Sequence, residues 1–593
     1  MRSFPPMPTP PVLPSFQTAA VTLALSTRSA SRTSASFVSA SLLAVALAGA
    51  SSAASAQVVA PGAGSLLQQL QPPLVPLPAP DATGLTVEGQ GSTALPASAP
   101  FAVTTLRITG NTRFDTSTLH ALVASGEGTT LTLPELGALA ERITAYYQAQ
   151  GYPLARAIVS AQVIRDGVVT LNVIEARYGQ VELNNTSRAS TSLLQATLAP
   201  LQADQVIEQG ALDRSLLLLS DVPGVITRAT LVPGQSVGTS DLQVVTTPGE
   251  LLSGNVTLDN SGNRYTGRTR AGANLNVTNP LHVGDVLSLG LLSSGENLNY
   301  ARLGYEALLN GQGTRLGASV SALRYRLGAP FEALDAHGTA QVASVWARQP
   351  LVRSLALNVS AQLQYDSLRL RDRVDASAIA TDRHLQNWTA SLSGDVRDGF
   401  LAGAVTSWSV GWTGGHVGFD NIAAQLADAA TANTQGNFSR WNLALARLQG
   451  LDASNSVYLS VSGQGASGNL DSAQKMTVGG ASTVRAYDSG TLSGDSGYFA
   501  TLELRHNLGA LWGGQWQAVA FADTARVTLN ERVWVAGLNR ATLSGAGLGL
   551  NWSGLEHWNA RIYVAQRLGS APHLAASGTP PSTRAWVEVS RAF

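Results

Sequence analysis

The chain has 593 residues, of which 44% are hydrophobic, 13% are charged and 58 are glycine, and its formal net charge is zero. Its basic and acidic residues are scattered and balanced, which leaves no basic patch and argues against nucleic acid as a partner. The absence of cysteine excludes disulfides, thiolate metal sites and a cysteine nucleophile.

The first 56 residues have the pattern of a signal peptide. Arg28 and Arg32 precede the apolar segment 37–50, and Ala54-Ser55-Ala56 supplies the small residues of a cleavage site. A membrane anchor is the alternative, but roughly 14 apolar residues fall short of the ~20 that a spanning helix needs. We predict export with cleavage after residue 56, and leave open a translation start downstream of Met1.

Residues 57–99 are rich in Pro, Ala, Gly and Ser, which is typical of an extended linker. Near its start, the segment 64–71 could form a short helix with Ser65 as N-cap, ended by Pro72. Its apolar face would consist of Leu66, Leu67 and Leu70. Such a short helix is marginal alone. It is therefore either part of a disordered tail or a helix that forms only inside another structure.

Residues 100–176 predict a compact α/β domain with the element order β-α-α-β-β. Apolar residues at helical spacing lead up to Gly151, which ends the helix. A turn at 165–167 predicts a hairpin between the last two strands. The predicted elements are strand 103–108, helix 134–150 and strands 157–161 and 168–174.

Residues 177–249 repeat that order of elements. Their similar length and order indicate an internal repeat, and hence a second α/β domain. The predicted elements are strand 180–183, helices near 191–198 and 209–219, and strands 226–232 and 241–246.

From residue 250 onward, apolar and polar residues alternate with a period of two. In 355–365 every odd position is apolar, whereas Asn358, Ser360, Gln362 and Gln364 lie on the other face. This pattern is typical of a membrane strand with a wet inner face. A soluble sandwich also alternates, but its water-facing side usually carries more charge than this composition provides.

The length of this region indicates the number of strands. Residues 251–593 number 343 (593 − 250 = 343), which gives roughly 21 residues to each of about sixteen strands with its connection. An open sheet edge in lipid would leave backbone amides without partners. We predict a closed transmembrane antiparallel β-barrel of about sixteen strands, with a lumen, over residues 250–593.

No catalytic, metal or cofactor site emerges from the sequence. One segment, Gly494-Asp495-Ser496-Gly497, copies a serine-protease nucleophile motif but lacks the histidine context of such enzymes. We therefore interpret it as part of a glycine-rich loop. The glycines of 545–549 have the wrong spacing for a dinucleotide site and fit a strand with small residues. The eight histidines show no zinc-type spacing. We therefore predict a protein that is not an enzyme.

Several motifs together resemble one known family. They are Gly-Asn-Thr-Arg-Phe at 110–114, Tyr-Tyr-Gln-Ala-Gln-Gly-Tyr-Pro-Leu-Ala-Arg-Ala at 146–157, Asp-Asn-Ser-Gly at 259–262 and Asn-Pro-Leu-His-Val-Gly-Asp at 279–285. The chain resembles the transporters of bacterial two-partner secretion, of the filamentous haemagglutinin and haemolysin activator type, over nearly its whole mature length. The resemblance implies two periplasmic POTRA domains, at 100–176 and 177–249, before an outer-membrane barrel. It also implies that the helix within 57–99 plugs the resting pore.

The segment Val484-Arg485-Ala486-Tyr487 resembles the family's loop motif of valine, arginine, glycine and tyrosine, which folds back into the pore. Alanine at 486 replaces a glycine and loses its freedom to adopt positive φ. Phe521 and Asp523 resemble the partner motif, and their spacing puts them on one strand face. The resemblance implies that an Arg485–Asp523 salt bridge positions the loop against the barrel wall. The alternative is a solvated arginine in an ordinary loop.

The last strand carries a further expected signal. Val587, Val589 and Phe593 share one face, and the resemblance implies that the barrel-assembly machinery recognises them. Arg591 lies on the same face, where its charge could snorkel to the interface.

The resemblance also implies the function. We expect an outer-membrane pore that recognises an unfolded exoprotein through its N-terminal secretion domain and exports it, with folding outside as the driving force. Strand addition to the periplasmic domains would provide capture. The alternatives are a barrel-assembly factor, which usually has more POTRA domains, and, less favoured, a porin or an outer-membrane lipase.

Overall fold

The computed structural model describes residues 60–70, 84–88, 95–570 and 581–593. The predicted signal peptide and the proline-rich parts of the predicted linker, Pro72 included, lie outside the described residues. The first two elements described are helix α1 (Ala63–Gln68) and strand β1 (Leu85–Val87).

Helix α1 differs in its bounds from the predicted helix at 64–71. Its N-cap is Gly62, so the prediction of Ser65 as N-cap was wrong. Ser65 lies inside the first turn, where its hydroxyl donates a hydrogen bond back to the carbonyl oxygen of Gly62 at 3.0 Å. Serine hydroxyls commonly satisfy a nearby carbonyl in this way.

The first α/β domain packs two helices on a small sheet. A capping box starts its long helix, because the Thr132 hydroxyl accepts from Glu135 N–H and the Glu135 carboxylate accepts from Thr132 N–H. The predicted strand at 103–108 is two strands, since Thr104 N–H bonds instead to the Gly167 carbonyl at 2.8 Å. The elements are β2 (Phe101–Val103), β3 (Thr105–Thr109), α2 (Thr116–Val123), β4 (Thr129–Leu131), α3 (Leu133–Ala149), β5 (Arg156–Val159) and β6 (Val168–Ile174), with sheet order β3-β6-β5 and a separate β2-β4 pair.

Glu175 fastens the turn of the 110–114 motif in this domain. Its carboxylate accepts from the backbone N–H groups of Thr112 and Arg113 at 2.7 and 2.8 Å, and from the Tyr147 hydroxyl at 2.8 Å. Burial alone would raise the pKa of Glu175, but these hydrogen bonds, with one from the Thr112 hydroxyl, outweigh it and hold the pKa below its ordinary value.

The pH dependence of the first domain follows from that lowered pKa. The carboxylate contributes stability above the unfolded-state pKa, ordinarily 4.5, and this contribution is lost as the pH falls through the folded-state pKa. We expect amide hydrogen exchange at 111–114, corrected for intrinsic rates, to accelerate as the pH falls from the unfolded-state pKa through the lower folded-state pKa of Glu175. Glu175→Gln should show fast exchange already at neutral pH, with a loss of roughly 1–3 kcal/mol. A pH response that persists in Glu175→Gln would contradict this role.

The second α/β domain has the predicted helices and strands, with an additional edge strand. Its elements are β7 (Arg177–Asn185), α4 (Thr191–Leu198), α5 (Gln209–Ser220), β8 (Val225–Pro233) and β9 (Thr239–Pro248), with sheet order β1-β8-β9-β7. The edge strand β1 comes from the linker and was not predicted. Asp221 connects this domain to the barrel turn that follows residue 353, through an ion pair with Arg353 at 2.7 Å.

In the described part of the chain, sixteen antiparallel strands close a barrel, as predicted. The strands are β10 (Leu252–Asp259), β11 (Arg270–Thr278), β12 (Val286–Ser293), β13 (Leu298–Leu308), β14 (Arg315–Arg326), β15 (Ala336–Arg353), β16 (Leu357–Val374), β17 (Ile379–Asp398), β18 (Ala404–Phe419), β19 (Gly436–Gly450), β20 (Asn455–Ala466), β23 (Ser496–Leu511), β24 (Gly514–Thr528), β25 (Arg540–Gly554), β26 (Trp558–Arg567) and β27 (Thr583–Ala592). Two short strands, β21 (Met476–Val478) and β22 (Leu492–Gly494), form a hairpin between β20 and β23, and helix α6 (Ile422–Ala429) lies between β18 and β19.

The two faces of the barrel wall have opposite polarity. On β12, Leu287, Leu289 and Leu291 are exposed on the outside, and Ser288 and Gly290 alternate with them. A lipid-facing wall requires this pattern, with every backbone group paired between strands. Among the described residues, no helix is long and apolar enough to cross a membrane.

Candidate functional site

The lumen contains a long loop that connects β20 to β23. We call residues 467–495 the pore loop. The predicted motif residues Val484, Arg485, Ala486 and Tyr487 lie in its central turn, and all four are buried. The loop therefore packs against the wall and does not lie free in solvent.

Arg485 is held by the inner wall of the barrel. Its guanidinium forms a bidentate pair with Asp523, with Nε–Oδ2 and Nη2–Oδ1 distances of 2.9 and 2.7 Å. Nη1 donates to Glu503 Oε1 at 2.6 Å, and Nη2 donates to the Thr501 hydroxyl at 2.8 Å. The guanidinium carbon lies 3.5 Å from the ring centroid of Phe521, a cation–π contact.

Strand register explains why these wall residues meet. Thr501 on β23 faces Asp523 on β24, which in turn faces Gly545 on β25. Phe521 lies in the adjacent row opposite Glu503, on the same inner face as Asp523, because side chains two apart share a face. The structure thus brings the predicted wall residues together with Arg485, and adds Thr501 and Glu503, which the sequence did not indicate.

Glycine at 545 makes room for the alanine of the loop motif. A methyl group built on Gly545 would lie 2.5 Å from Cβ of Ala486. Ala486 is not among the residues with positive φ, so the position does not need the freedom of a glycine. On the same strand a methyl at Gly547 would meet the Phe521 ring at 2.5 Å. The glycines of 545–549 therefore serve close packing.

Replacing Gly545 with alanine should push the loop turn off the wall. The two methyl groups are both tied to backbone, so neither can rotate away. We expect the exoprotein secretion that the family resemblance implies to fall about tenfold, because overpacking of this kind commonly costs about 1–3 kcal/mol. Adding Ala486→Gly should restore secretion by removing one methyl. Gly304→Ala is the matched control, because its new methyl would make only ordinary contact at 3.6 Å. Failure of the second substitution to rescue would contradict the packing argument.

Three further ion-pair sites stabilise the pore loop, one within it and two that join it to the barrel, and none was predicted. Lys475 pairs with the fully buried Asp495 at 2.8 Å within the loop. Asp471 pairs with Arg383 of β17 at 2.6 Å. The third site is Asp488, which has Arg264, Arg268 and Arg584 around it. Asp495 belongs to the 494–497 motif that we interpreted as part of a glycine-rich loop. Its carboxylate also accepts hydrogen bonds from the backbone N–H groups of Leu470 and Glu531.

Helix α1 lies inside the barrel, against both the wall and the pore loop. The N–H of Ala63 donates to Asp372 of β16 at 2.8 Å, and Asp372 also pairs with Arg383 at 2.9 Å. Gln68 donates to the carbonyl oxygen of Ala473 in the pore loop. Arg383 therefore connects helix, wall and loop, because its two carboxylate partners belong to β16 and to the loop.

The predicted apolar face of the helix contacts an apolar part of the wall. Leu66 is 1% exposed, and the half-buried Leu67 and Leu70 pack against the same cluster. The wall side of this cluster consists of Leu298, Leu323, Tyr325, Ala336, Ala340, Leu368, Leu370, Leu385, Val417 and Phe438.

A sequence signal for this contact existed. The inner face of β16 consists of the polar residues Asn358 to Asp366 at even positions and then turns apolar at Leu368 and Leu370. Apolar residues on the water-facing inner wall of a barrel indicate that another segment of protein covers them. On β14, Arg324 and Arg326 are exposed on the outer face. Because side chains alternate along a strand, Leu323 and Tyr325 face inward.

The predicted signal residues of the last strand lie on the outside of the barrel. Val587 and Phe593 are exposed, and Val589 is partly buried. Phe593 pairs with Gly254 of the first barrel strand through two backbone hydrogen bonds of 2.9 and 3.0 Å. Arg591 pairs with Glu556 at 3.0 Å and lies over the Trp558 ring. Recognition of these residues by an assembly machinery stays a prediction.

One cluster in the described part of the chain has metal-ligand residue types. Asp335, His337 and Asp375 have side-chain ligand atoms within 4.8 Å of one another at the outer rim. Arg326 lies 3.8 Å from Asp335 and supplies a positive counter-charge. Partly exposed acidic groups beside an arginine are typical of surface ion pairs, so we interpret this cluster as a surface ion pair and not as a metal site.

Fold and site together define a class of protein: an outer-membrane β-barrel with periplasmic α/β domains, whose lumen holds a helix and an inward loop. The sequence matches the family model of the haemolysin secretion/activation protein ShlB/FhaC/HecB over residues 238–552, and that of the POTRA domain, ShlB-type, over residues 101–176. The chain belongs to this haemolysin secretion/activation family. The prediction of an outer-membrane transporter of two-partner secretion, with a periplasmic POTRA domain at residues 101–176, is confirmed.

Similar proteins include two named transporters. The heme/hemopexin transporter protein HuxB of Haemophilus influenzae is 28% identical over 461 residues, which cover 76% of this chain and 81% of that protein. The outer membrane transporter CdiB of Dickeya dadantii is 23% identical over 417 residues, covering 66% and 71%. The structure of CdiB from Escherichia coli has a similar fold, with a TM-score of 0.67 and 19% identity, covering 85% of this chain and 93% of that one.

Proposed function

We propose that this transporter captures a secreted exoprotein in the periplasm through its POTRA domains and passes it, unfolded, through the lumen. The observation that carries the proposal is a lumen filled by separate pieces, α1 and the pore loop, each attached by side-chain contacts that can be broken. A static pore would need no such removable parts. The partner would be an exoprotein with an N-terminal secretion domain.

The energy would come from the exoprotein itself. We propose no catalytic step in this chain, because its buried charged groups in the lumen pair with one another and hold structure. Folding of the exoprotein outside the cell removes the unfolded form from the equilibrium and so favours outward movement. The barrel would contact outer-membrane lipid, and the barrel-assembly machinery would insert it.

Arg485 and α1 have different roles in this proposal. The bidentate pair with Asp523 would position the pore loop, and α1 would close the resting pore. The helix has hydrogen bonds to both the wall and the loop, so its removal would change the surroundings of the loop as well as opening the lumen.

Secretion of a candidate exoprotein encoded beside this gene tests the proposal. Cells with the transporter should release the exoprotein into the medium, and cells without it should retain or degrade it. Retention in both, with a folded barrel and an intact exoprotein, would contradict the proposal. Loss of other outer-membrane barrels in cells without this protein would favour the alternative of an assembly factor.

A further inference from the structure

The linker covers the edge of the second POTRA sheet. Leu85, Thr86 and Val87 of β1 pair in parallel with Ala229, Thr230 and Leu231 of β8. The ladder continues at each end, where Ala229 N–H donates to Gly84 at 3.2 Å and Glu88 N–H donates to Leu231 at 2.9 Å. A segment between helix α1 and the first POTRA domain thus acts as an added strand.

In the described residues this attachment covers only part of β8. Gly84 has a φ of +61°, which glycine adopts at little cost, and a methyl group at this position would lie 3.1 Å from the Thr227 carbonyl. Leu85 packs partly against the domain core, whereas Thr86 and Val87 are exposed. In the described residues β1 pairs with three positions of β8, which is nine residues long. A longer strand could form more backbone hydrogen bonds with the same edge.

The position of β1 limits how far α1 can travel. Residues 71–83, thirteen in number, separate the end of the helical segment at Leu70 from Gly84. Further along, the linker is attached again, since the Ser98 hydroxyl accepts from Leu133 N–H at 2.8 Å and Leu95 lies over Gly137. Release of β1 would move the next described attachment from Gly84 to Leu95, so the number of residues between Leu70 and that attachment would rise from thirteen to twenty-four (94 − 70 = 24). At about 3.4 Å per residue, the maximum reach grows by roughly 35 Å. That increase exceeds the ~30 Å hydrocarbon thickness of a bilayer.

From these observations we infer that the β8 edge is the docking site for an extended segment of the exoprotein, and that β1 is its resting occupant. The inference rests on the proposed function and adds its regulation. The incoming strand displaces β1 by pairing over more of β8, and the longer tether then lets α1 leave the lumen. Tethering gives β1 a high local concentration, so only a strand with more pairs displaces it. Arrival of the exoprotein thereby opens the pore.

An engineered disulfide tests the required release. The chain has no cysteine, so Thr86→Cys with Thr230→Cys, which are register partners, introduces the only possible bridge. Glu182→Cys with Gln243→Cys is the matched control, because it joins register partners of parallel strands in the same sheet and leaves the β8 edge free. The oxidised linker pair should secrete at least about tenfold less exoprotein than the oxidised control, given the high effective concentration of a tethered strand. Reduction should restore secretion.

The outcomes separate the two proposals. Equal secretion by the two oxidised pairs overturns the inference and leaves the proposed function intact. If neither the wild type nor the control secretes, the proposed function fails and the docking of an exoprotein segment fails with it. Channel recordings on the purified protein in planar bilayers then still decide whether release of β1 opens the pore. Oxidation of the linker pair should make channel openings rarer, and oxidation of the control should not. Opening that is insensitive to the linker disulfide contradicts the inference.

The identity of the displacing strand is tested by photocrosslinking during secretion. A benzophenone amino acid at Arg228, which is exposed on β8, should capture the exoprotein, whereas the same probe at Gln243 on the interior strand β9 should not. Thr86→Pro should increase the Arg228 adducts, because proline cannot donate to the ladder. Equal capture at both positions, or no exoprotein adduct at Arg228 while secretion proceeds, would overturn the assignment of this edge.

Discussion

Replacing Arg485 with alanine is expected to abolish exoprotein secretion while leaving the barrel in the outer membrane. The guanidinium neutralises two buried carboxylates, since Asp523 is 3% and Glu503 is 5% exposed. Removing one partner of a buried ion pair typically costs 3–5 kcal/mol, because the remaining charge lacks compensation. The docked state of the pore loop should therefore lose on the order of a hundredfold or more in population. The measurement is exoprotein in the medium, with barrel levels followed by heat-modifiable migration.

Arg505→Ala is the matched control for this substitution. Arg505 donates to the same carboxylate, Glu503, at 2.7 Å, but it is partly exposed and Glu503 keeps its pair with Arg485. We expect near-normal secretion from this variant. Arg485→Lys should remain strongly impaired, because an ammonium group cannot form the bidentate pair with Asp523. Secretion by Arg485→Ala at the level of Arg505→Ala would contradict the positioning role.

The sequence predicted those features that depend on local pattern. Alternation such as that of 355–365 determines which side chains face lipid, and physical closure of the sheet then requires a barrel. The helices of the second domain were predicted nearly to the residue, since their apolar spacing reflects burial against one sheet. Pairing Arg485 with Asp523 came from the resemblance, because no spacing rule connects residues 38 positions apart.

The remaining contacts depend on register and on where separate segments meet. Arg383 reaches Asp471, 88 residues later in the chain, only because β17 and the pore loop meet in the lumen. The strand β1 could not be predicted, since three residues with weak alternation acquire their conformation from the edge of β8. The apolar residues Leu368 and Leu370 were a readable signal, but which segment covers them required the folded barrel.

Replacing Leu66 with aspartate is expected to open the resting pore. Leu66 is 1% exposed among apolar wall residues, and an ionised carboxylate in this place would lose its hydration without gaining a partner. Leaving its site on the wall costs the helix little, because a six-residue helix is held by its contacts and not by its own propensity. We expect channel conductance in planar bilayers to rise several-fold, and cells to become sensitive to large polar antibiotics. Secretion should continue, because in the proposed mechanism the helix leaves the lumen during transport.

Ser65→Asp separates this effect from that of added charge. It places the same carboxylate on the same helix, at a half-buried position next to Leu66 that is not part of the apolar cluster. The pore should stay closed in this variant.

A second route to opening is Asp372→Ala, which removes the acceptor of Ala63 N–H and one partner of Arg383. Its control, Asp382→Ala, breaks the neighbouring Arg373 pair at the same end of these strands. Conductance that is equal in Leu66→Asp and Ser65→Asp would show that α1 does not close the pore.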